Sequence, residues 1–249
     1  LPYQHDDPNS NPTLSGQKMD PDAERKVLEE LGRFREIEFL AEGGMGQVYT
    51  AIDPNIDRRV AIKILHPDLA AHQMPLAKFE NEFRLTGQLE HPNIVPIYES
   101  GRTEDGQIYF CMKFVQGESL AQRLTQDRAH AVQKGNPLDP TPYLHHLLRV
   151  CDALSFAHSR KIVHRDLKPA NLMVGQFGEV LVMDWGLARE IREAIPTSTT
   201  SSFTSPQKTT IDPLHTLEGQ VVGTPSYMAP EQARGEVHQV DQQTDVYAL

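Results

Sequence analysis

Short apolar runs separated by turn-forming residues dominate the first half of the chain, which is the pattern of a small β-sheet. Three strands are predicted at residues 34–40, 47–52 and 59–65. Apolar side chains recur at helical spacing within residues 76–89, at Phe79, Phe83 and Leu89. Two further strands are predicted at residues 93–100 and 107–115. We therefore expect this part of the chain to form a sheet with one helix.

The second half of the chain has mainly helical periodicity. Helices are predicted from Ser119 to about residue 126 and over residues 143–159, and short strands at 162–163, 171–174 and 180–183. Residues 190–217 are rich in Ser, Thr and Pro and lack periodicity, so they are predicted to form a long loop. The whole pattern favours an α+β fold with a small β-rich lobe at 31–115, a mainly helical lobe at 116–249 and a hinge near 113–118.

The ends of the chain have a different character. Residues 1 to about 22 are rich in Pro, Asn, Asp and Ser, and a short charged helix is predicted at 22–31. We therefore expect residues 1–30 to form a flexible leader with a short helix. The chain does not begin with Met and stops within an apolar-rich pattern at Leu249, which we interpret as a fragment of a longer protein. It has no signal peptide pattern and no apolar run near the roughly 18 residues of a membrane span.

Composition narrows the function classes. The formal net charge of −10 argues against nucleic-acid binding as the main function, because such proteins usually carry basic patches. The two cysteines, Cys111 and Cys151, lie far apart, so a disulfide framework and a cysteine zinc site are both excluded, and a reducing compartment fits. None of the 11 histidines has the His-Glu-x-x-His spacing of a zinc protease.

A glycine-rich loop, Ala41-Glu42-Gly43-Gly44-Met45-Gly46, lies between the first two predicted strands. Glycine lets a backbone approach phosphate closely, although glycine-rich hairpins without a ligand are more common. The loop is not a Walker A motif, since no Gly-Lys-Ser/Thr follows. It is also a poor dinucleotide fingerprint, since a strand and not a helix comes next.

The sequence Val60-Ala61-Ile62-Lys63 ends the third predicted strand with a lysine. Such a lysine usually reaches solvent, but here its ammonium could reach the same phosphates as the glycine-rich loop. A partly buried lysine needs a carboxylate partner. Glu82 and Glu80, both in the following predicted helix, are candidates of similar weight.

Two further segments concentrate polar side chains with complementary chemistry. Residues 164–171 read His-Arg-Asp-Leu-Lys-Pro-Ala-Asn and place an acid, a base and an amide in one loop. In this loop Asp166 could accept a proton, Lys168 could steady a phosphoryl group, and Asn171 could offer an oxygen to a hard cation. Asp184-Trp185-Gly186 then puts a carboxylate after an apolar strand. Each of the four segments alone could be an ordinary surface feature. All four in this order and spacing are not expected by chance.

Together with Ala229-Pro230-Glu231, these segments resemble the signature set of the protein kinases. The resemblance extends from about residue 33 to residue 249 and implies a bilobal kinase-like fold with an incomplete helical lobe. The Lys-Pro-Ala-Asn form and the Gly-Thr-Pro at 223–225 are similar to serine/threonine kinases. Gly-Gly-Met-Gly and Glu231-Gln232-Ala233 are most similar to bacterial members. An activation segment at 184–231 is implied, longer than the form common in the family.

The resemblance implies ATP and Mg²⁺ as ligands. Lys63, paired with Glu82, would hold the α- and β-phosphates, and Asn171 and Asp184 would hold the metal. The implied nucleotide site also includes Leu40, Ala41, Gly43, Gly44, Gly46, Val48, Ala61, Met112 as gatekeeper, Phe114, Val115, Ser119 near the ribose, and Met173. Backbone groups of residues 113–115 would bind the adenine edge.

The resemblance also implies the catalytic roles. Asp166 would orient and deprotonate the acceptor hydroxyl, Lys168 would stabilise charge on the γ-phosphoryl group, and Thr224 would hydrogen-bond nearby. Two residues depart from the family pattern. Ala41 replaces the first glycine of the loop, and Trp185 replaces a phenylalanine with a bulkier ring whose N–H needs a partner.

The implied partners are protein substrates, with a homodimer possible for autophosphorylation in trans and a cytoplasmic catalytic domain. Arg165 is expected to pair with a phosphorylated residue of the Ser/Thr cluster at 197–216, unless that tract is an unselected linker. Two alternatives remain at this stage: a pseudokinase scaffold, and a small-molecule phosphotransferase of similar fold. Retention of Lys63, Asp166 and Asp184 disfavours the first, and Ala229-Pro230-Glu231 disfavours the second.

Overall fold

A five-stranded antiparallel sheet forms the first lobe of the computed structural model, which describes residues 31, 33–103, 106–191 and 223–249. The strands are β1 (Arg35–Gly43), β2 (Gly46–Asp53), β3 (Arg58–Leu65), β4 (Ile97–Arg102) and β5 (Ile108–Lys113). Their spatial order is β1-β2-β3-β5-β4. Strands that follow each other in the chain are paired in the sheet, except that β3 pairs with β5 and β4 lies at the edge beyond β5. Short turns therefore suffice to connect most of the sheet.

Two helices follow β3 in the chain. They are α1 (Pro67–Ala70) and α2 (Gln73–Gly87). The prediction for the second helix was residues 76–89, so α2 both begins and ends slightly earlier in the chain than predicted. The ring of Phe79 in α2 lies 5.2 Å from the ring of Phe110 in β5, and both are buried. The α2 helix thus packs against the face of the sheet that carries Lys63, because residues paired across a ladder share a face and Lys63 pairs with Phe110.

The second lobe is mainly helical, with two small sheets. Its helices are α3 (Leu120–Gln133), α4 (Thr141–Ser159), α5 (Pro230–Ala233) and α6 (Gln242–Ala248). One sheet has the order β6 (Gly117–Ser119), β8 (Leu172–Gly175), β9 (Val180–Val182); the other pairs β7 (Ile162–Val163) with β10 (Arg189–Glu190). Three 3₁₀ turns lie at Pro169–Asn171, Pro225–Tyr227 and Val237–Gln239. The fold is α+β, with a β-rich first lobe and a mainly helical second lobe, as predicted.

The structure corrects three predicted elements. Residues 93–96 are not in a strand: Asn93 donates its side-chain amide to Val180 at 2.8 Å, Ile94 forms an isolated bridge with Val182, and β4 begins at Ile97. The α3 helix continues to Gln133, well beyond residue 126. Asn171 belongs to a 3₁₀ turn and not to the strand that follows it. The predicted helix at 22–31 and most of the predicted loop at 190–217 lie outside the described residues.

One buried core joins the two lobes below the first sheet. It is a continuous cluster that includes Leu85 of α2, Leu89 just after that helix, Leu154 of α4 and Trp185. No helix among the residues described is both long and apolar enough to cross a bilayer.

The outer face of the first sheet is covered by residues that precede β1. Leu31 and Phe34 are buried against Tyr49, Ile62 and Cys111 of strands β2, β3 and β5. Arg33 lies beside them and bonds the carboxylate of Glu99. The short segment before β1 is therefore part of the packed lobe.

Cys111 should consequently be inert in the folded protein. Its side chain is 1% exposed, and burial, reinforced by the charge of Glu99, raises the pKa of the thiol to about 12. At pH 8 only about one thiol in ten thousand would be ionised. We expect an alkylating reagent to label the exposed Cys151 and spare Cys111, with both labelled after denaturation, as measured by peptide mass spectrometry. Equal labelling of both cysteines in the native protein would contradict this packing.

Candidate active site

The glycine-rich loop is the tight turn between β1 and β2, where Gly43 pairs with Gly46. A Cβ atom on Gly46 would lie 2.0 Å from the backbone oxygen of Ile64, so only glycine fits beside β3. A Cβ on Gly44 would meet no atom within 4 Å, and one on Gly43 would meet its nearest atom at 3.9 Å. Gly46 therefore has a structural role, and open space lies beside Gly43 and Gly44.

The register of the sheet brings the predicted nucleotide residues to one face. Ala41 pairs with Val48, Val48 with Lys63, and Ala61 with Met112. Because directly paired residues share a face and alternate residues do too, these side chains all face the second lobe. Leu40 falls at a register shift between Phe39 and Ala41 and is 42% exposed. The alanine in the first glycine position is thus accommodated as an ordinary paired strand residue.

The predicted hinge residues follow β5. Phe114 is half-buried and Val115 is buried. The backbone N–H of Lys113 donates to the carbonyl of Pro96 at 3.1 Å, so this amide is already engaged within the protein. Of the three residues predicted to bind the adenine edge, Lys113 can contribute only its carbonyl.

Ser119 and Met173 face each other as partners in the β6–β8 ladder. The Ser119 hydroxyl accepts from the Gln122 backbone N–H at 3.2 Å, and the Gln122 side chain returns to the Ser119 backbone at 2.8 Å. This capping box begins helix α3, since it satisfies amides that have no partner within the helix. The predicted ribose contact would therefore compete with the cap.

Lys63 of β3 binds Glu82 of α2 across the face of the sheet. Its Nζ lies 2.6 Å and 2.9 Å from the two carboxylate oxygens of Glu82 and 3.8 Å from Oδ1 of Asp184. The rival candidate, Glu80, is exposed and lies 3.7 Å from Arg102 instead. The structure thus chooses between two glutamates that the spacing could not separate.

The charges around Lys63 keep it protonated. Burial lowers the pKa of the ammonium, but the carboxylates of Glu82 and Asp184 more than offset this and raise it above its ordinary value. In the same way burial raises the pKa of Asp184, but the charges of Lys63 and Lys168 lower it below the usual range. A charged lysine and an ionised carboxylate therefore face each other in the cleft.

Asp166, Lys168 and Thr224 form one hydrogen-bonded cluster. Thr224 donates its hydroxyl to Oδ1 of Asp166 at 2.7 Å, and Nζ of Lys168 lies 2.8 Å from Oδ2 of the same carboxylate. Lys168 also donates to the Thr224 hydroxyl at 2.7 Å. Thr224 is 56 residues beyond Lys168, so only the fold brings these three side chains together.

Asn171 and Asp184 lie on adjoining backbone. The Met183 N–H donates to the Asn171 carbonyl at 2.8 Å, which places the two predicted metal ligands on neighbouring segments. The Asn171 side chain donates to the Asp166 carbonyl oxygen at 2.8 Å through Nδ2, which leaves its amide oxygen for another ligand. A Cβ on Gly186 would lie 3.2 Å from Oδ1 of Asp184 and from Oε2 of Glu82, so a larger residue would crowd both carboxylates.

The backbone of the site is strained at two points. Arg165 and Asp184 have φ angles of 68° and 54°, in the left-handed region where a residue other than glycine costs about 1–3 kcal/mol. These two strained backbone conformations persist only where surrounding contacts enforce them.

The guanidinium of Arg165 is also perturbed. Burial, together with the positive charge of nearby Arg189, lowers its pKa to about 10.

Trp185 occupies a fully buried site between the lobes. Its side chain is 0% exposed and its indole N–H donates to the Val182 carbonyl at 3.4 Å, which provides the partner that the larger ring needs. The ring of His164 lies 4.7 Å away, edge to face. His164 accepts from the Asp166 N–H at Nδ1 and lies 2.9 Å from the Met183 carbonyl at Nε2, which assigns its proton to Nε2.

Two residues that support the catalytic loop were missed in the sequence analysis. The carboxylate of Asp245, which is 0% exposed, accepts the backbone N–H groups of His164 and Arg165 at 2.9 Å each and lies 2.8 Å from Nε2 of His158. Gln232 donates to the Arg165 carbonyl at 2.7 Å. An aspartate within the apolar-rich final segment was the available signal, because a buried charge needs several partners.

The comparisons with known proteins agree with this geometry. The family model described as protein kinase domain matches residues 34–249. Serine/threonine-protein kinase PknD of Protochlamydia amoebophila is 38% identical over 218 residues, which cover 86% of this chain and 22% of that protein. PknD of Chlamydia felis is 33% identical over 228 residues, covering 87% of this chain and 23% of that protein. PknD of Chlamydia caviae is 34% identical over 230 residues, with the same shares.

The chain spans about a fifth of the length of these curated relatives. The family match nevertheless includes every catalytic and nucleotide-site residue considered above. This chain belongs to the protein kinase domain family, as a catalytic domain of the bacterial serine/threonine class.

Proposed function

We propose that this domain transfers the γ-phosphoryl group of ATP to serine and threonine hydroxyls of protein substrates. The observation that carries the proposal is the joint assembly of two networks, Lys63 with Glu82 and Asp166 with Lys168 and Thr224. Phosphoryl transfer needs little covalent chemistry from the protein. It requires mainly positioned cations and one proton acceptor. Both requirements are met at this cleft.

The residues present fit Mg²⁺. Among the residues that the structure describes, no three His, Cys, Asp or Glu side chains cluster as ligands for a metal. Asp184 and Asn171 alone would supply two oxygens, which suits a hard cation that keeps waters and takes phosphate oxygens for the rest of its shell. When bound there, Mg²⁺ neutralises charge on the phosphates.

ATP itself would bind between the sheet and β8. Leu40, Val48, Ala61 and Met173 would enclose the adenine, with Met112 beside it. The Lys113 carbonyl and the Val115 amide are the backbone groups for the adenine edge, since the Lys113 amide is engaged. Lys63 would bind the α- and β-phosphates from below the glycine-rich turn, held in place by Glu82.

Asp166 is the proton acceptor in the proposed mechanism. A substrate hydroxyl gives its proton to Asp166 as its oxygen forms a bond to the γ-phosphorus, and the bond from that phosphorus to the β-phosphate oxygen breaks to release ADP. The ammonium of Lys168 lies 2.8 Å from Asp166, where its positive charge would stabilise the negative charge of the γ-phosphoryl group during transfer. Thr224 binds both residues and orients them toward one point.

The partners and cellular setting of the domain are proposed from its family and its nucleotide. Protein substrates follow from the family, and action in the cytoplasm follows from the need for ATP. Autophosphorylation at residues 197–216, with Arg165 binding the product and two copies acting on each other, remains a prediction, because residues 192–222 lie outside the described part of the chain.

Replacement of Lys63 by methionine tests the proposal. We expect wild-type protein to phosphorylate a generic basic protein on Ser and Thr, but not Tyr, and Lys63→Met to lose about 10²–10³-fold in rate, because one preorganised cation is removed. Labelled ATP with Mg²⁺, followed by phosphoamino-acid analysis, measures both results. Lys134→Met, at an exposed lysine following α3, is the matched control and should retain full activity.

Absence of transfer by the wild-type protein, with nucleotide still raising its melting temperature, would contradict the proposal and favour a pseudokinase scaffold. Phosphorylation of a small molecule but of no protein would favour the other alternative.

A further inference from the structure

The turn between β1 and β2 is held to the end of β3 by a histidine with no role in the reaction proposed above. Nε2 of His66 lies 3.1 Å from the Gly43 carbonyl oxygen. The backbone N–H of His66 donates to the Met45 carbonyl at 3.1 Å. His66 thus binds the glycine-rich turn at two points, the carbonyl of Gly43 and the carbonyl of Met45.

The geometry of His66 suits it to this contact. Pro67 restricts the residue before it to extended backbone, and His66 has φ −56° and ψ 135°. Its side chain is 24% exposed, so it is largely packed in place. Because a carbonyl can only accept, the proton must lie on Nε2. Glu42 lies 3.5 Å from the same nitrogen but is 54% exposed, and such a pair contributes little.

Apolar packing holds the same turn. Met45 is partly buried against a cluster that contains Leu65, Phe79 and Phe110. The two glycines before it have no such packing, since a Cβ on Gly44 would meet no atom within 4 Å. Gly44 therefore depends for its position on the contacts that anchor Gly43 and Met45 on either side of it.

We propose that His66 is a positioning residue for the nucleotide, which holds the glycine-rich turn so that the amides of Gly43 and Gly44 are preorganised for the phosphates of ATP. This inference rests on the proposed function. Glycine loses more conformational freedom on ordering than any other residue. A turn fixed before ATP arrives loses less entropy on binding, so affinity rises.

A comparison of ATP with adenosine tests the role of His66. In His66→Ala we expect the Kd for ATP with Mg²⁺ to rise about threefold to tenfold, the scale of one lost hydrogen bond. The Kd for adenosine should not change, because adenosine lacks the phosphates that the turn covers. His66→Gln keeps a side-chain N–H donor of similar reach and should restore most of the ATP affinity. His72→Ala, at an exposed histidine six residues away whose side chain forms no helix cap, should match wild type.

Each other outcome has a defined meaning. Equal or tighter ATP binding by His66→Ala, beside normal binding by wild type, overturns the positioning role. Equal weakening of ATP and adenosine, accompanied by a lower melting temperature, overturns it also and makes His66 a stabilising residue only. A wild-type protein that binds neither ligand overturns the proposed function, and the role of His66 with it.

Discussion

Replacement of Asp166 by asparagine is expected to reduce kcat for phosphoryl transfer by about 10²–10⁴-fold while the Kd for ATP stays within about twofold of wild type. An amide of nearly the same shape cannot accept the proton of the substrate hydroxyl. It also places no negative charge beside Lys168, whose Nζ lies 2.8 Å from the Asp166 carboxylate. The Kd should be preserved because Lys63 and the sheet, not Asp166, bind the nucleotide in the proposed site.

Initial rates with labelled ATP and a nucleotide titration measure the two quantities separately. Asp68→Asn, at an exposed aspartate in the first turn of α1, is the matched control and should leave both unchanged. Retention of more than about a tenth of the wild-type kcat by Asp166→Asn would show that another group accepts the proton.

Replacement of Asp245 by asparagine is expected to destabilise the fold by about 2–4 kcal/mol and to lower activity with it. The buried carboxylate accepts two backbone N–H groups of the catalytic loop, from His164 and Arg165, and lies 2.8 Å from His158. An amide has one acceptor oxygen, so at least one buried donor loses its partner. Arg165 is also held at a φ of 68°, a conformation that this carboxylate helps to enforce.

Urea denaturation and initial rates measure the effect. Asp152→Asn provides the control, because Asp152 is 56% exposed and lies 3.5 Å from Arg149 only across the surface of α4. Its free energy of unfolding should change by less than about 0.5 kcal/mol. An Asp245→Asn protein as stable and active as wild type would mean that the catalytic loop holds its shape without this carboxylate.

The strands of the first sheet were largely predictable because their pattern is local. Residues 47–52 and 59–65 alternate between the two faces, and β2 and β3 lie where these patterns predict them. The prediction was wrong at residues 93–96. There the side-chain amide of Asn93 reaches Val180, 87 residues away, and a contact of that range leaves no signal in a local pattern.

The length of α3 was underestimated for a related reason. Most of its side chains face solvent and only Leu120 among them is buried, so its second half has no apolar stripe to identify. The capping box at Ser119 marks its start. Gly135, at a φ of 68°, and Pro137 after it mark its end, a signal that the prediction did not use.

The residues of the candidate site also divide into those that the local sequence indicates and those that only the structure identifies. The loop at 164–171 and the Asp-Trp-Gly at 184–186 are short segments whose residue types alone indicate phosphate and metal chemistry. The choice of Glu82 over Glu80 required the structure, because it depends on which side of α2 faces β3. The engagement of the Lys113 amide by Pro96 likewise depends on how two distant segments meet.

By itself the sequence determined the class of protein and most strands of the first sheet, and it predicted which residues bind phosphate, metal and a proton. Only the tertiary structure decided which of them meet. It joined Thr224 to Asp166 across 58 residues, placed Asp245 under the catalytic loop across 80, and set His66 against the glycine-rich turn. The physical reason is that side-chain chemistry and backbone propensity act locally, whereas hydrogen bonds and packing act between whatever groups the folded chain brings within a few ångströms.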